Sequence, residues 1–142
     1  MHTNLKFGKL EKGGWAGEID IAAFNPSTKE LVHIEASTDA WTWKVRQARF
    51  AKKFDGATAH FKELFSFDVT SVSRIAVVGL TQPPKTVSLG PGIEIWSILM
   101  LINLITSELV RRHPLRAAIL ENYPILRALQ FGAHYGVSTR TA

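Results

Sequence analysis

The sequence predicts an α/β chain with a small mixed central β-sheet flanked by helices. Three observations carry this: two strand patterns joined by a turn, a basic helical stretch after them, and a later continuous apolar run. The chain has 142 residues, enough for a single domain with one sizeable core. The core is expected over about residues 13–97, with a helical C-terminal part over about 98–142.

The two strands are Gly17-Glu18-Ile19-Asp20-Ile21 and Leu31-Val32-His33-Ile34-Glu35-Ala36-Ser37. Successive side chains on a strand point to opposite faces, so Glu18 and Asp20 share one face, as do His33, Glu35 and Ser37. Asn25-Pro26-Ser27-Thr28-Lys29 between them carries turn chemistry, which makes the pair a hairpin. If the apolar faces pack on the core, Asp20 and Glu35 converge on the opposite side. Alternation alone is equally what the solvated face of an ordinary hairpin shows.

Residues 44–53 then hold five cations and no acid. Val45, Ala48, Ala51, Phe54, Thr58, Phe61 and Phe65 follow the three-and-four rhythm of one buried helical stripe. Asp55-Gly56 is expected to bend or interrupt that helix, because glycine costs about 1 kcal/mol in a helix interior. Lys44, Gln47 and Arg46 fall near its start. Trp41 and Trp43 flank the junction, as stacking platforms for nucleic acid or as seals against the sheet.

Arg74-Ile75-Ala76-Val77-Val78-Gly79-Leu80 reads as a strand buried on both faces. Breakers follow at Thr81-Gln82-Pro83-Pro84-Lys85 and at Leu89-Gly90-Pro91-Gly92, and Ile93-Glu94-Ile95-Trp96 reads as a further strand. Ser97 is placed to cap a helix that buries Leu99, Ile102, Ile105 and Leu109. Ser97, Asn103, Thr106 and Glu108 interrupt this segment, whose apolar stretch is short of the roughly 18 residues of a membrane span. Pro114 is expected to open a helix through Leu115, Ala118 and Ile119, and Pro124 another through Ile125, Leu126, Leu129 and Ala133.

Absent residues exclude several chemistries. With no cysteine, disulfides, thiolate nucleophiles and cysteine-based zinc sites are excluded. The five histidines, at 2, 33, 60, 113 and 134, include no helical pair bracketing a glutamate. His33 stands apart by sharing the acidic face with Glu35, as a metal ligand or proton carrier. No nucleophile elbow and no phosphate-binding glycine loop is present. No signal peptide is visible, and a cytoplasmic location is expected. The net charge of +5 favours polyanions. A second basic group lies at Arg111, Arg112, Arg116, Arg127 and Arg140, and Arg127, Gln130 and His134 are a candidate phosphate contact on the last helix.

Gly-Glu-Ile-Asp, a short turn, and an apolar strand ending Glu-x-Ser resemble the PD-(D/E)xK superfamily of restriction-endonuclease-like nucleases. The resemblance covers about residues 13–97. It implies phosphodiester hydrolysis of DNA, with Asp20, Glu35 and the Ala36 carbonyl holding Mg²⁺ or Mn²⁺, since hard cations prefer oxygen ligands. It also implies that Gln47 and Lys44 assist from the helix, and the basic run makes Lys44, Arg46, Arg49, Lys52 and Lys53 the expected DNA contacts. The family places a lysine two positions after the glutamate. Here Ser37 stands there. Three explanations compete: the cation has moved to Lys44, Arg46, Lys52 or Lys53; Ser37 itself orients the water; or the domain no longer cuts. The family's fold usually opens with a helix bearing another acid, and only Leu5 to Lys12 is available for it. Glu11 is the sole candidate acid in that segment, Glu18 on the following strand is a further candidate extra acid, and a homodimer or partner subunit could complete the site. Two alternatives to an endonuclease are a catalytically inactive DNA-binding module and an interaction subunit whose acids face a basic partner.

Overall fold

The computed structural model describes residues 1–80 and 86–136, so the break expected at Thr81–Lys85 and the cation Arg140 lie outside the described residues. A five-stranded mixed sheet runs in chain order: β1 (His2–Lys9), β2 (Trp15–Asn25), β3 (Glu30–Ser37), β4 (Ser71–Val78) and β5 (Ile93–Ser97). The first three strands are antiparallel, while β3, β4 and β5 are parallel. A parallel pair needs a crossover, and α1 (Trp43–Ala59) with the single turn α2 (Phe61–Leu64) supplies it between β3 and β4.

The β2–β3 turn forms as expected. The Asn25 side chain accepts the Ser27 N–H at 3.0 Å, and Lys29 takes a left-handed φ of 54°. The opening segment is a strand, not the helix expected from the family pattern. It pairs with β2 from His2↔Ala22 to Lys9↔Trp15, which leaves Glu11 exposed in the β1–β2 turn. Phe7 explains one spelling in β2. It stands across from Gly17, and a Cβ there would lie 2.4 Å from the Phe7 ring.

Helix α1 runs without interruption through Asp55-Gly56, contrary to the expected bend. Its buried residues are Arg46, Phe50, Phe54 and Ala57; Val45 is only half-buried and Ala48 is exposed. Phe54, Phe61 and Phe65 of the expected stripe are buried, but at the small residues before them the helix turns Arg46 and Phe50 inward instead, because the area of Phe50 and Phe54 decides which side is buried. Phe50 and Phe54 pack with Ala76, Val78 and Leu89; Ala57 and Phe61 pack with Phe7, Ile19, Ala22, Leu31 and Phe65.

That packing overturns one expectation about the hairpin. The Leu31–His33–Glu35 face of β3 is the one beneath α1: all three are fully buried, while Val32 and Ile34 are half-buried and Ala36 is exposed. The acids therefore point into the sheet–helix interface rather than away from the core.

The chain divides into two compact units, residues 1–98 and 99–142. The second holds most of α3 (Ile98–Val110) and α4 (Pro124–Gly136). Only Leu109 is buried in α3; Leu99 and Ile102 are exposed. Pro114 begins one turn closed by Ala117 N–H on the His113 carbonyl, not a helix. Pro124 does open α4, but the buried residues there are Gln130 and Ala133, with Ile125 and Leu129 exposed. Gln130 faces inward because its side chain accepts from Ile119 N–H and donates to the Arg112 and Ala117 carbonyls. It is thus unavailable as a phosphate contact, and Arg127 beside it pairs with Glu121 at 2.9 Å. No helix among the described residues is long and apolar enough to cross a membrane.

Candidate active site

The site begins where the β2–β3 ladder ends. Backbone pairing runs from Asn25↔Glu30 to Ile21↔Ile34 and stops before Asp20 and Glu35. Beyond that point the carboxylates take over the amides of the opposite strand. Ala36 N–H donates to Asp20 Oδ2 at 2.8 Å, and Asp20 N–H lies 3.4 Å from Glu35 Oε1. Asp20 also marks a change of side within β2. Ile19 and Ala22, three residues apart, belong to the same buried cluster, which strict alternation forbids. The neighbouring strand is disturbed at the same level: Asn4, between the register pairs Thr3↔Ile21 and Leu5↔Ile19, has a left-handed φ of 52°.

Into this gap projects Lys53 from α1. Its Nζ lies 3.2 Å from both Asp20 Oδ1 and Oδ2 and is hydrogen-bonded to Glu35 Oε2. Helical spacing explains the approach. Lys53 follows Arg46 by seven residues and Phe50 by three, so it stands on the inward edge of the buried stripe. Burial pulls the Lys53 pKa down, but the hydrogen bond and charge of Glu35, joined by those of Asp20, outweigh it and leave the ammonium above the ordinary lysine value. Lys53 is therefore a cation at neutral pH and not a general base.

Glu35 is fully buried, a costly place for a carboxylate unless it is paired. Its Oε2 meets Lys53 and its Oε1 meets His33 Nε2 at 2.7 Å. His33 is itself fully buried, its ring edge-on to Phe54 with centroids 4.7 Å apart.

The other expected residues divide into two groups. Ser37 ends β3 and lines a small groove with Ala36, Asp39, Arg46, Arg49, Phe50 and Lys53. A second groove, of about 650 Å³, opens on Asp20 and Lys53; Glu18, Arg49, Lys52 and His60 also line it. Lys44 and Gln47 are exposed, line neither groove, and make no hydrogen bond to the carboxylate pair among the described residues. Arg46 is buried and used internally, donating to the Trp41 carbonyl at 3.1 Å and to the Asp39 carbonyl, so it is a brace rather than a surface cation. Trp41 is exposed beneath Arg49, and Trp43 lies under Arg46.

Asp39 is singled out by no sequence pattern. It holds Arg49 at 2.9 Å on the rim of the Ser37 groove. The same two-residue spacing that links Glu35 and Ser37 continues to it.

The donor set suits a hard divalent ion with few protein ligands. It offers two carboxylates whose oxygens already surround a positive charge, and Mg²⁺ is usually held by one or two carboxylates and water. A strand residue's N–H and C=O point to the same edge, so the Ala36 carbonyl is directed to the gap as well. Among the described residues there is no cluster of three or more histidine or acidic ligands of the kind a dedicated metal cage needs. Comparison with protein-family models, with curated proteins and with solved structures finds no match to this chain.

Proposed function

We propose that the chain is a metal-dependent DNA endonuclease of restriction-endonuclease-like architecture, with Lys53 taking the place of the lysine that Ser37 replaces. The observation that carries this reading is the convergence of Asp20, Glu35 and Lys53 on one point where the hairpin splays open. Asp20 and Glu35 hold the ion, with the Ala36 carbonyl as a further oxygen. With Mg²⁺ or Mn²⁺ in place, the site gains polarisation of a phosphoryl oxygen and a more acidic water.

The chain's own residues account for the rest. The Lys53 ammonium offsets negative charge developing on the phosphoryl oxygens, a preorganised electrostatic role. The Ser37 hydroxyl, on the same groove as Lys53, is placed to hydrogen-bond a water or phosphate oxygen. Arg49 and Lys52, on the exposed surface of α1, attract the DNA backbone. A cytoplasmic location belongs with this reading.

One observation favours a second reading, a DNA-binding module without activity: Lys53 already pairs with both carboxylates, as a purely internal counter-ion does. Incubating plasmid DNA with purified protein and Mg²⁺ or Mn²⁺ separates the two. Nicking or linearisation is expected from the wild type and not from Asp20→Ala or Glu35→Ala. Cutting that survives both substitutions would sink the metal site, and DNA binding without cutting under all metals would establish the module.

A further inference from the structure

The geometry points to His33 as a positioning residue: its Nε2–H, hydrogen-bonded to Glu35 Oε1, fixes the carboxylate so that only Oε2 faces Lys53 and the bound cation. This rests on the reading of Asp20 and Glu35 as the metal-holding pair, and it adds a residue that neither composition nor motif assigns to that role.

Three observations lead there. His33 Nε2 and Glu35 Oε1 stand 2.7 Å apart, and both side chains are fully buried. A separation this short needs a proton between them. On a carboxylate that accepts from Lys53, that proton belongs to the imidazole. Second, the other ring nitrogen, Nδ1, is buried with no hydrogen-bond partner among the described residues. A proton on Nδ1 alone would bury an unanswered N–H and set the Nε2 lone pair against a carboxylate oxygen; the Nε2–H form has neither fault. Third, the ring cannot turn away. It is held edge-on by Phe54 at 4.7 Å and by Phe61 at 6.2 Å, and His33 stands across from Ala22 in the ladder.

The consequence concerns Glu35. Oε1 is occupied from within by His33 and by the Asp20 amide at 3.4 Å, so the carboxylate presents one oxygen and not two. Glu35 is then a one-oxygen ligand of fixed direction, in register with the Asp20 oxygens around Lys53. His33 thus acts through Glu35 and is not itself a ligand. Orienting partners behind the ligating groups commonly set metal affinity in this way.

The test uses the full chain. Long-range ¹H–¹⁵N correlation of the histidine rings is expected to show a proton on His33 Nε2; a ring whose Nε2 carries no proton overturns the assignment. His33→Phe keeps a ring but removes the donor, whereas His33→Gln places an amide N–H near the Nε2 position. Mn²⁺ affinity, measured by electron paramagnetic resonance, is expected to fall about tenfold in His33→Phe and within threefold of wild type in His33→Gln. In plasmid cutting, kcat is expected to fall in His33→Phe with KM for DNA unchanged. The ¹⁵Nζ resonance of Lys53 provides a readout independent of any nuclease activity or metal. Held by Glu35 Oε2, it is expected to be observable in the wild type and His33→Gln and lost to exchange in His33→Phe. A folded His33→Phe with unchanged Lys53 resonance and Mn²⁺ affinity overturns the proposal. If His33→Phe does not fold, His33→Gln and His33→Asn decide, since Asn places its amide near Nδ1; equal behaviour of the two overturns it. A wild type that binds no Mn²⁺ while the Nε2 proton and Lys53 behave as described refutes the metal reading and leaves the positioning of Glu35 standing.

Discussion

At the scale of single residues, the site turns on Lys53. Four cations were candidates to replace the missing lysine, and the geometry separates them. Lys44 is exposed, Arg46 is tied to backbone carbonyls, Lys52 lines the larger groove, and Lys53 alone of the four makes hydrogen bonds to Asp20 and Glu35. Replacing Lys53 by Met is expected to lower cleavage about 100-fold or more, the scale of losing one preorganised donor, with DNA binding changed far less. The same substitution is expected to leave Mn²⁺ affinity equal or higher, because the ammonium occupies the carboxylate oxygens the ion needs; calorimetry checks this, and weaker binding contradicts it. The raised Lys53 pKa also predicts a pH dependence of stability. The folded state holds this proton more tightly than the unfolded one, so the contribution is complete below the ordinary value of 10.5 and is lost as pH rises through the folded value. As pH rises above 10.5, wild type is expected to lose stability more steeply than Lys53→Met in chemical denaturation.

At the scale of elements, one helix and one hairpin stem make the site. The buried stripe of α1 includes Arg46, whose guanidinium ties the Asp39–Trp41 segment to the helix start. Arg46→Met is expected to cost about 1–3 kcal/mol, read as a lower unfolding midpoint, because it leaves two carbonyls without their donor. The β1–β2 pairing has its own constraint at Gly17. A methyl group there collides with the Phe7 ring, so Gly17→Ala is expected to destabilise by about 1–3 kcal/mol. Both effects are on folding, so activity per folded molecule should change much less than for Lys53→Met.

At the scale of the whole molecule, the excess positive charge matters where it is exposed and near the site. Arg49 and Lys52 meet both conditions. Replacing both by Ala is expected to weaken DNA binding and to lower the slope of log affinity against log salt by about 2, one phosphate contact for each lost cation. Fluorescence anisotropy in EDTA, which prevents cutting, measures it. An unchanged slope places the DNA elsewhere on the molecule. The second unit, residues 99–142, carries many exposed apolar side chains, among them Leu104, Leu115, Leu120 and Ile125.

What could be read in advance was whatever local pattern dictates. Period-two alternation revealed β2 and β3, turn chemistry joined them, and the β-rich run marked β4 as buried. Parity put Glu35 and His33 on one face, and the Gly-Glu-Ile-Asp spelling singled out Asp20. The pattern offers Lys53 as one of four replacement cations and as a DNA contact without separating these roles, and it leaves Ser37 open. Packing chose the rest. Whether the acidic face of β3 lies outward or under a helix depends on how Phe50 and Phe54 orient α1, a contact between segments distant in the chain. The same rotation turns Arg46 and Lys53 inward and Lys44 and Gln47 outward. The splayed ladder at Asp20, the side change between Ile19 and Ala22, and the β1 strand in place of a helix also arise from pairing across strands, which no single segment encodes. Sequence periodicity specifies which side chains travel together; only the energy of packing the elements against each other specifies which way that set faces.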